Sequence, residues 1–183
     1  MKRALMVLSL LAVVIPAAAL AKNEPMVGGQ LMYPTKDIVD NAVNSADHTT
    51  LVAAVKAADL VATLKGPGPF TVFAPVNDAF KDLPAGTVET LLKPENKAML
   101  TRILTYHVVP GRLTSNELRK RIKAGNGAAT LKTVSGGTLW AMMNGDANIV
   151  IKDETGAIAQ ITTYDVNQSN GVIHVINRVV MPK

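Results

Sequence analysis

Three histidines, His48, His107 and His174, carry the side chains of this sequence that are best suited to hold a metal ion or transfer a proton. Two imidazoles bind one ion most readily when they stand two or four residues apart, and no pair here has that spacing. His107 precedes two valines and His174 alternates with branched apolar residues, a setting typical of buried imidazoles bonded to backbone groups. The sequence therefore predicts structural histidines and no metal site.

Nucleophilic and phosphate-binding patterns are also absent from the sequence. The chain has no cysteine, no Gly-x-Ser-x-Gly elbow and no Ser-x-x-Lys pair. Residues 66–69 read Gly-Pro-Gly-Pro, but no Lys-Ser or Lys-Thr follows, and proline lacks the amide hydrogen that a phosphate would need. Met142 and Met143 lie beside Trp140 at a spacing typical of sheet packing rather than of a haem surface. We therefore expect no catalytic residue and no cofactor.

The N-terminal residues predict export. Lys2 and Arg3 precede an apolar stretch over 4–15, and an Ala-x-Ala site ends at Ala21. Because this stretch is shorter than the roughly 18 to 20 residues of a membrane-spanning helix, we expect a signal peptide over 1–21 that is cleaved after its last alanine. The mature protein should then be secreted or periplasmic, with no transmembrane anchor.

The charge of the mature chain is small. Two of the 19 basic residues and none of the 14 acidic ones lie in the signal peptide, which leaves 17 positive against 14 negative side chains. This balance does not predict a nucleic-acid partner. The basic run over 119–123 is typical of the solvated face of a short helix. Without disulfides, the packing of one core must stabilise the protein.

Proline and glycine mark residues 22–36 as an extended leader, followed by one domain over 37–183. The first half of this domain has the apolar period of amphipathic helices. A Thr-Ser-Asn-Glu capping box begins one helix at Thr114, proline opens another at Pro94, and Asn77 is expected to cap a short helix of its own. The predicted helices cover residues 38–43, 50–65, 77–83, 94–104 and 115–122.

From Ala128 onward the apolar period changes to two, which predicts strands. Glycine-containing turns separate these segments, so neighbouring strands should be antiparallel. Because helices come before strands along the chain, the sequence predicts an α+β domain. The predicted strands of this half cover residues 131–134, 138–144, 148–152, 157–163 and 172–181.

Three blocks of residues carry a family pattern. They are Thr71-Val72-Phe73-Ala74-Pro75 with Asn77-Asp78-Ala79-Phe80, then Tyr106-His107, then Asn170-Gly171-Val172-Ile173-His174. In this order and spacing, over nearly the whole mature chain, they resemble the fasciclin-like domain, a family of secreted or surface-held modules that mostly mediate adhesion and matrix contact. The resemblance implies two small β-sheets packed as a wedge or sandwich, with helices along one side.

The resemblance also implies partner-binding positions. Animal fasciclin-like domains that engage integrins use an Asp-Ile pair ahead of the last strand and the Tyr-His block. The corresponding residues here are Asp165-Val166 and Tyr106-His107. The chain has Val where Ile is usual, a polar residue after it and no Arg-Gly-Asp, so the resemblance favours a surface partner other than an integrin.

The same positions also have a structural interpretation. Asp165 would bond to amides in a loop over 163–171, and Tyr106 would be a core aromatic residue with a satisfied hydroxyl group.

Together these observations predict an exported, non-enzymatic adhesion or surface-interaction domain. Its partner would be a protein or polysaccharide of the matrix, the envelope or a host surface. The apolar surplus leaves a second hypothesis open, a periplasmic carrier that binds a glycan, a lipid or haem between the sheet and the helices. An envelope enzyme that depends on His107 is a third hypothesis.

Overall fold

Residues 24–183 are described by the computed structural model, and the predicted signal peptide lies outside them. Their helices are α1 (Ile38–Ala42), α2 (Thr49–Ala57), α3 (Val61–Leu64), α4 (Asn77–Lys81), α5 (Thr87–Leu91), α6 (Lys97–Tyr106) and α7 (Ser115–Ala124). Their strands are β1 (Met26–Val27), β2 (Gln30–Leu31), β3 (Phe70–Pro75), β4 (Val108–Pro110), β5 (Ala128–Lys132), β6 (Thr138–Asn144), β7 (Asn148–Lys152), β8 (Ile158–Gln168) and β9 (Gly171–Ile176). This confirms the predicted α+β class.

The helix predicted over 50–65 is divided into α2 and α3. Asp59 lies between them with φ of 55°, in the left-handed region that aspartate tolerates better than most residues. The amide of Leu60 donates to the Val55 carbonyl at 3.0 Å, and the amide of Asp59 donates to the Lys56 carbonyl at 3.1 Å. These two bonds close the end of α2 in the manner of a Schellman motif. The apolar period continues through the break, so periodicity alone predicted one helix.

Two predicted helix caps have different outcomes. The Thr114 hydroxyl accepts a hydrogen bond from the Glu117 amide at 3.3 Å, which confirms the predicted start of α7. The prediction that Asn77 caps its own helix is wrong. Its Oδ1 instead accepts from the Thr50 amide at 3.0 Å, and its Nδ2 donates to the Ala46 carbonyl at 2.8 Å. Asn77 therefore caps α2, a neighbouring helix that lies beside it only in the folded chain.

The main sheet has the strand order β4-β3-β9-β8-β7-β6-β5. Strands β5 to β9 pair in sequence and antiparallel, as predicted. The pairing of β3 with β9 is parallel, with Phe70 opposite Gly171 and Pro75 opposite Ile176. These two strands, called the central pair below, bring the first and third sequence blocks side by side. A parallel contact between such distant segments leaves no signal in local periodicity.

Strand β8 links the two halves of the main sheet, because its first residues pair with β7 and its later residues pair with β9. Register shifts between Ile161 and Val166 bend it at the junction. The strand predicted over 157–163 is therefore too short, and the strand predicted over 172–181 is too long. The chain leaves the sheet after Ile176, yet Val180 remains buried because it packs into the core next to His107.

Two hydrophobic cores lie on opposite sides of the central pair. The helix-side core contains Val72 and Ile173 from the pair together with side chains of α1, α2, α3 and α6. The sheet-side core contains Phe73 and Ile176 together with α7 and the inner faces of β5, β6 and β7. Alternate residues of the same strands thus enter different cores, as a strand covered on both faces requires.

Candidate functional site

The Asn170-Gly171 turn ties two helix ends to the central pair. The Asn170 Oδ1 accepts from the Ile38 amide at 3.0 Å, and its Nδ2 donates to the carbonyls of Leu64 at 2.8 Å and Gly66 at 3.0 Å. A side chain at Gly171 would collide with the Phe70 carbonyl oxygen of the neighbouring strand. Both residues therefore serve the closure of the fold, and their polar atoms are not available to a partner.

Thr71 and Phe73 of the first block are fully buried in the central pair. The Thr71 hydroxyl donates to the Gly111 carbonyl at 2.6 Å and accepts from the Leu113 amide at 2.8 Å, which holds the segment after β4 against β3. The Phe73 ring stacks on the His174 ring with 5.7 Å between centroids. Ala74 and Phe80 pack in or against the helix-side core, and Pro75 closes the parallel pairing.

Tyr106 is fully buried in the sheet-side core. Its hydroxyl donates to the Thr138 carbonyl at 2.7 Å and accepts from the Glu154 amide at 3.0 Å. Burial raises the pKa of Tyr106 to about 12. A Cβ at Gly137 would lie 2.6 Å from the Tyr106 ring, so glycine makes room for it. The residue is a core aromatic with a satisfied hydroxyl group, as the structural interpretation predicts.

His107 is also buried, and both of its ring nitrogens bond to the backbone. Nδ1 lies 2.8 Å from the Ile103 carbonyl, and Nε2 accepts from the Val180 amide at 3.2 Å. Because a carbonyl can only accept, Nδ1 carries the hydrogen and the ring is neutral. Burial lowers the pKa of His107 to about 4. This imidazole connects α6 to the C-terminal segment and has no nitrogen free for catalysis.

His174 has the opposite tautomer. Its Nε2 donates to the Leu113 carbonyl at 2.8 Å, and its Nδ1 accepts weakly from the Asp165 amide at 3.4 Å. The ring is fully buried, and that burial lowers the pKa of His174. The third sequence block and the predicted Asp165 position are therefore in direct contact.

Asp165 lies within β8, so the loop predicted over 163–171 is wrong up to Gln168. Its φ of 55° places it at the bend of the strand. The two carboxylate oxygens accept from the amide of Ser115 at 2.7 Å and from its hydroxyl at 2.5 Å. The negative charge thus meets the first residue of α7, where free amides and the helix dipole favour an anion. Val166, the next residue, is 1% exposed in the helix-side core.

The four predicted partner-binding residues do not form one exposed surface. Tyr106 lies in the sheet-side core and Val166 in the helix-side core, while His107 is buried and Asp165 is bonded to α7. Two side chains that support this region were missed from the sequence. One is Ser115, and the other is the exposed Arg112, whose guanidinium donates to the Gly171 and Gln168 carbonyls at 2.5 and 2.9 Å. A serine beside a capping threonine was the available signal for the first.

His48 directly precedes α2 and lines a small space beside Ala74 and Val175 of the central pair. Its Nδ1 is 2.8 Å from the Ser45 hydroxyl, and burial lowers the pKa of His48. Within residues 24–183, no group of three or more His, Asp or Glu side chains is placed to hold a metal ion. None of the helices described in this part of the chain has the length and apolar character needed to cross a bilayer.

An apolar cavity of about 70 Å³ lies between the helices and the helix-side face of the central pair. Branched side chains of α1, α2 and α3 line most of it, among them Val39, Val55 and Val61. The lining is almost entirely apolar, and the exposed Lys56 and the buried His107 also border it. The second hypothesis from the sequence placed a small ligand at this position, between the sheet and the helices.

The profile of the Fasciclin domain family matches residues 46–182. Protein sll1483 of Synechocystis sp. is 47% identical over 145 residues, which cover 79% of this chain and 73% of that protein. The uncharacterized protein sll1735 of the same organism is 40% identical, and the match covers 79% of this chain and 97% of that protein. The immunogenic protein MPB70 of Mycobacterium bovis is 34% identical over 146 residues, which cover 77% of this chain and 66% of that protein.

A solved structure has the same fold. It is the FAS1 domain pair of the insect cell adhesion molecule fasciclin I, which superimposes with a TM-score of 0.69 at 19% identity. The match covers 80% of this chain and 51% of that one, so this chain spans about half of the solved pair. Family profile, relatives and fold agree with the three sequence blocks, and the chain belongs to the fasciclin domain family.

Proposed function

We propose that the protein is an exported, non-enzymatic adhesion or surface-interaction domain that binds a protein or polysaccharide outside the cytosol. One observation carries this proposal: the polar atoms of Tyr106, His107 and Asp165 bond to groups inside the fold. A base or nucleophile must reach its substrate, and these atoms bond to backbone groups or to the Ser115 hydroxyl instead. What the molecule offers to a partner is then the shape and chemistry of its surface.

Membership of the fasciclin domain family supports the proposal, since the fold neighbour is described as a cell adhesion molecule. The predicted signal peptide supports a site of action in the periplasm or outside the cell. In this proposal the four predicted partner-binding residues contribute indirectly. They hold the end of α6, the start of α7 and the bend of β8 in place and thereby fix the surface around them.

A binding assay on the mature chain, residues 22–183, tests the proposal. The immobilised protein is exposed to envelope fractions, extracellular polysaccharide and matrix proteins, and binding is followed by biolayer interferometry. We expect saturable binding to at least one of these, which heat denaturation of the immobilised protein abolishes. Absence of saturable binding to all of them contradicts the proposal.

The enzyme hypothesis is addressed by a separate activity screen on the same protein. We expect no turnover that depends on His107, because its ring is buried and doubly bonded. Turnover that is lost in a folded His107→Gln variant contradicts the non-enzymatic assignment.

The apolar cavity favours a second candidate function, a carrier of a small apolar ligand. Its volume of about 70 Å³ is about half of the roughly 150 Å³ that holds a benzene molecule in an engineered core. It therefore suits the end of a lipid chain and is too small for haem.

Native mass spectrometry of protein purified from its own host tests this candidate. We expect a retained mass that is lost when Ala42 in the lining is replaced by leucine. Ala53→Leu on the exposed side of α2 is the matched control and should retain it. The absence of any added mass in the unmodified protein contradicts the carrier function.

A further inference from the structure

The outer face of β5, β6 and β7 presents a row of side chains that none of the sequence blocks includes. The strand registers place Thr130 opposite Trp140, Trp140 opposite Lys152, and Lys152 opposite Ile158 of β8. Residues that are directly opposite in a sheet point to the same side. The alternate residues of β6, Leu139 and Ala141, point inward and are fully buried. This row is therefore exposed on the side of the sheet away from the core.

A depression of about 390 Å³ lies along this row and is bordered by Trp140, Met142, Lys152, Glu154 and Thr155. Trp140 is half-buried, whereas Lys152 and Thr155 are exposed. The volume lies within the range of roughly 300 to 1,000 Å³ that is usual for small-ligand sites. The lining thus combines an indole ring and a thioether with charged and hydroxyl side chains at one edge of the sheet's outer face.

Several polar groups at this edge retain the capacity to bond. Within residues 24–183, no hydrogen bond or ion pair engages the Lys152 ammonium or the Trp140 indole N–H. The Glu154 carboxylate accepts from the Thr138 amide at 2.8 Å and from the Lys183 amide at 3.2 Å, and each oxygen has a further lone pair. Asp153 lies beneath and is buried, with its carboxylate bonded to four backbone or hydroxyl donors.

We propose that this outer face binds a pyranose ring of a polysaccharide. The indole of Trp140 stacks on the C–H face of the sugar, and Lys152 and Glu154 bond to its hydroxyl groups. A sugar ring has an apolar face and a polar edge, which matches an aromatic plate bordered by donors and acceptors. The inference rests on the proposed surface-binding function and names the chemical class of its partner.

The charge pattern favours a glycan over a protein partner. The centre of a protein interface is depleted of charged residues and is built from contiguous apolar anchors. Here Lys152 stands between Trp140 and Ile158 in the same row, so it divides the apolar surface. A lone aromatic plate beside a charged side chain fits a single sugar ring better than a protein core.

Trp140 is the only tryptophan of the chain, so its fluorescence reports on this face alone. The mature protein is titrated with defined tetrasaccharides of glucose, N-acetylglucosamine and galacturonic acid. We expect a saturable change in the emission for at least one of them. Lys152→Ala retains the probe and should weaken that affinity several-fold, whereas Lys123→Ala on α7 is the matched control and should not change it.

Calorimetric titration with the same sugar measures the affinity of variants that lack the Trp140 fluorescence. Trp140→Ala should weaken binding at least about tenfold, as loss of an aromatic anchor does, while Met99→Ala, an exposed apolar control on α6, leaves it unchanged. Thermal unfolding shows whether each variant is folded. If Trp140→Ala is not folded, two other variants test the assignment. Trp140→Phe keeps a smaller aromatic ring and Lys152→Ala keeps the indole, and both should weaken sugar binding.

The possible results distinguish a failure of the proposed sugar site from a failure of the proposed surface-binding function. Sugar binding that is unchanged in folded Trp140→Ala overturns the assignment of this face. Binding of the protein to envelope or matrix proteins without any response to the sugars overturns the glycan partner and leaves the proposed function in place. If the Trp140 variants lose binding to a protein partner, the glycan partner is likewise overturned and the proposed function remains in place. Failure to bind sugars and all surface fractions contradicts both.

Discussion

The central pair and the outer face of β5–β7 differ in what their polar groups do. In the central pair, His174 is bonded on both ring nitrogens, and the nearby Asn170 bonds to three backbone groups. On the outer face, Lys152 and the Trp140 indole have no such partner among the described residues. The first and third of the family's blocks lie in or beside the central pair, and none of the three blocks lies on the outer face. The difference indicates that the blocks stabilise the fold, whereas the polar groups of the outer face remain able to bond to the proposed partner.

The largest effect is expected from Asn170→Ala, which tests the structural role of the central pair. This change leaves the Ile38 amide and the carbonyls of Leu64 and Gly66 without their partner. At about 1 to 3 kcal/mol for a buried polar group left unpaired, we expect a loss of about 4 kcal/mol in the free energy of unfolding. Urea denaturation measures it. Asn116→Ala, at an exposed position of α7, is the control. Equal stabilities of the two variants would contradict the prediction.

The next effect concerns pH. His107 keeps a pKa of about 4 when folded, against 6.5 as its ordinary value, so the unfolded chain binds a proton that the folded chain does not. Stability is therefore complete above pH 6.5 and falls as the pH drops towards 4. The linked loss is about 3 kcal/mol. Burial also lowers the pKa of His48 and His174, which acts in the same direction.

His107→Gln separates this contribution from the other two, because glutamine does not titrate. The free energy of unfolding of this variant should vary less between pH 6.5 and 4 than that of the unmodified protein. Parallel pH profiles of the two proteins would show that the His107 ring does not remain neutral in the fold.

A smaller effect is expected from Asp165→Asn. The change keeps the shape but removes the negative charge that bonds to the Ser115 amide and hydroxyl at the start of α7. We expect a loss of about 1 to 2 kcal/mol in stability, as for other helix caps. Ser115→Ala should cost less, because its amide remains. Thermal unfolding tests the order, and a more stable Asp165→Asn variant would show that the carboxylate is not a cap.

The smallest effect on stability is expected on the outer face. Lys152→Ala removes an exposed side chain without an internal partner, so the free energy of unfolding should change by less than about 0.5 kcal/mol. A loss comparable to that of Asn170→Ala would mean that both regions have the same structural role, and the comparison would fail.

Local patterns in the sequence predicted much of the fold. Strands β6 and β7 were predicted with their observed limits, because glycine turns bound a clear period of two. The cap at Thr114 was equally local. Contacts between distant segments were not predictable in this way. The capping of α2 by Asn77 and the continuation of β8 to Gln168 depend on neighbours that only the folded chain supplies.

The candidate site shows the same limit. The family resemblance identified Tyr106, His107, Asp165 and Val166 as residues of interest, and the sequence itself also favoured a buried Tyr106 and His107. Neither indicated that Val166 lies in the helix-side core or that Asp165 bonds to the start of α7. The spacing of Trp140 predicted a residue packed in a sheet. It does lie in β6, where it is half-buried on the outer face. Its position beside Lys152 follows from the pairing of β6 with β7 and could not be read from either segment alone.

One comparison tests the central claim most directly: Asp165→Asn and Trp140→Ala are measured side by side for thermal stability and for binding to the same surface partner. At a temperature where both are folded, we predict that Asp165→Asn binds as the unmodified protein does although it is less stable. Trp140→Ala should lose binding although it is folded at that temperature. The opposite result, with binding lost in folded Asp165→Asn and kept in Trp140→Ala, would contradict the claim that the partner-binding positions implied by the resemblance stabilise the fold while the outer face binds.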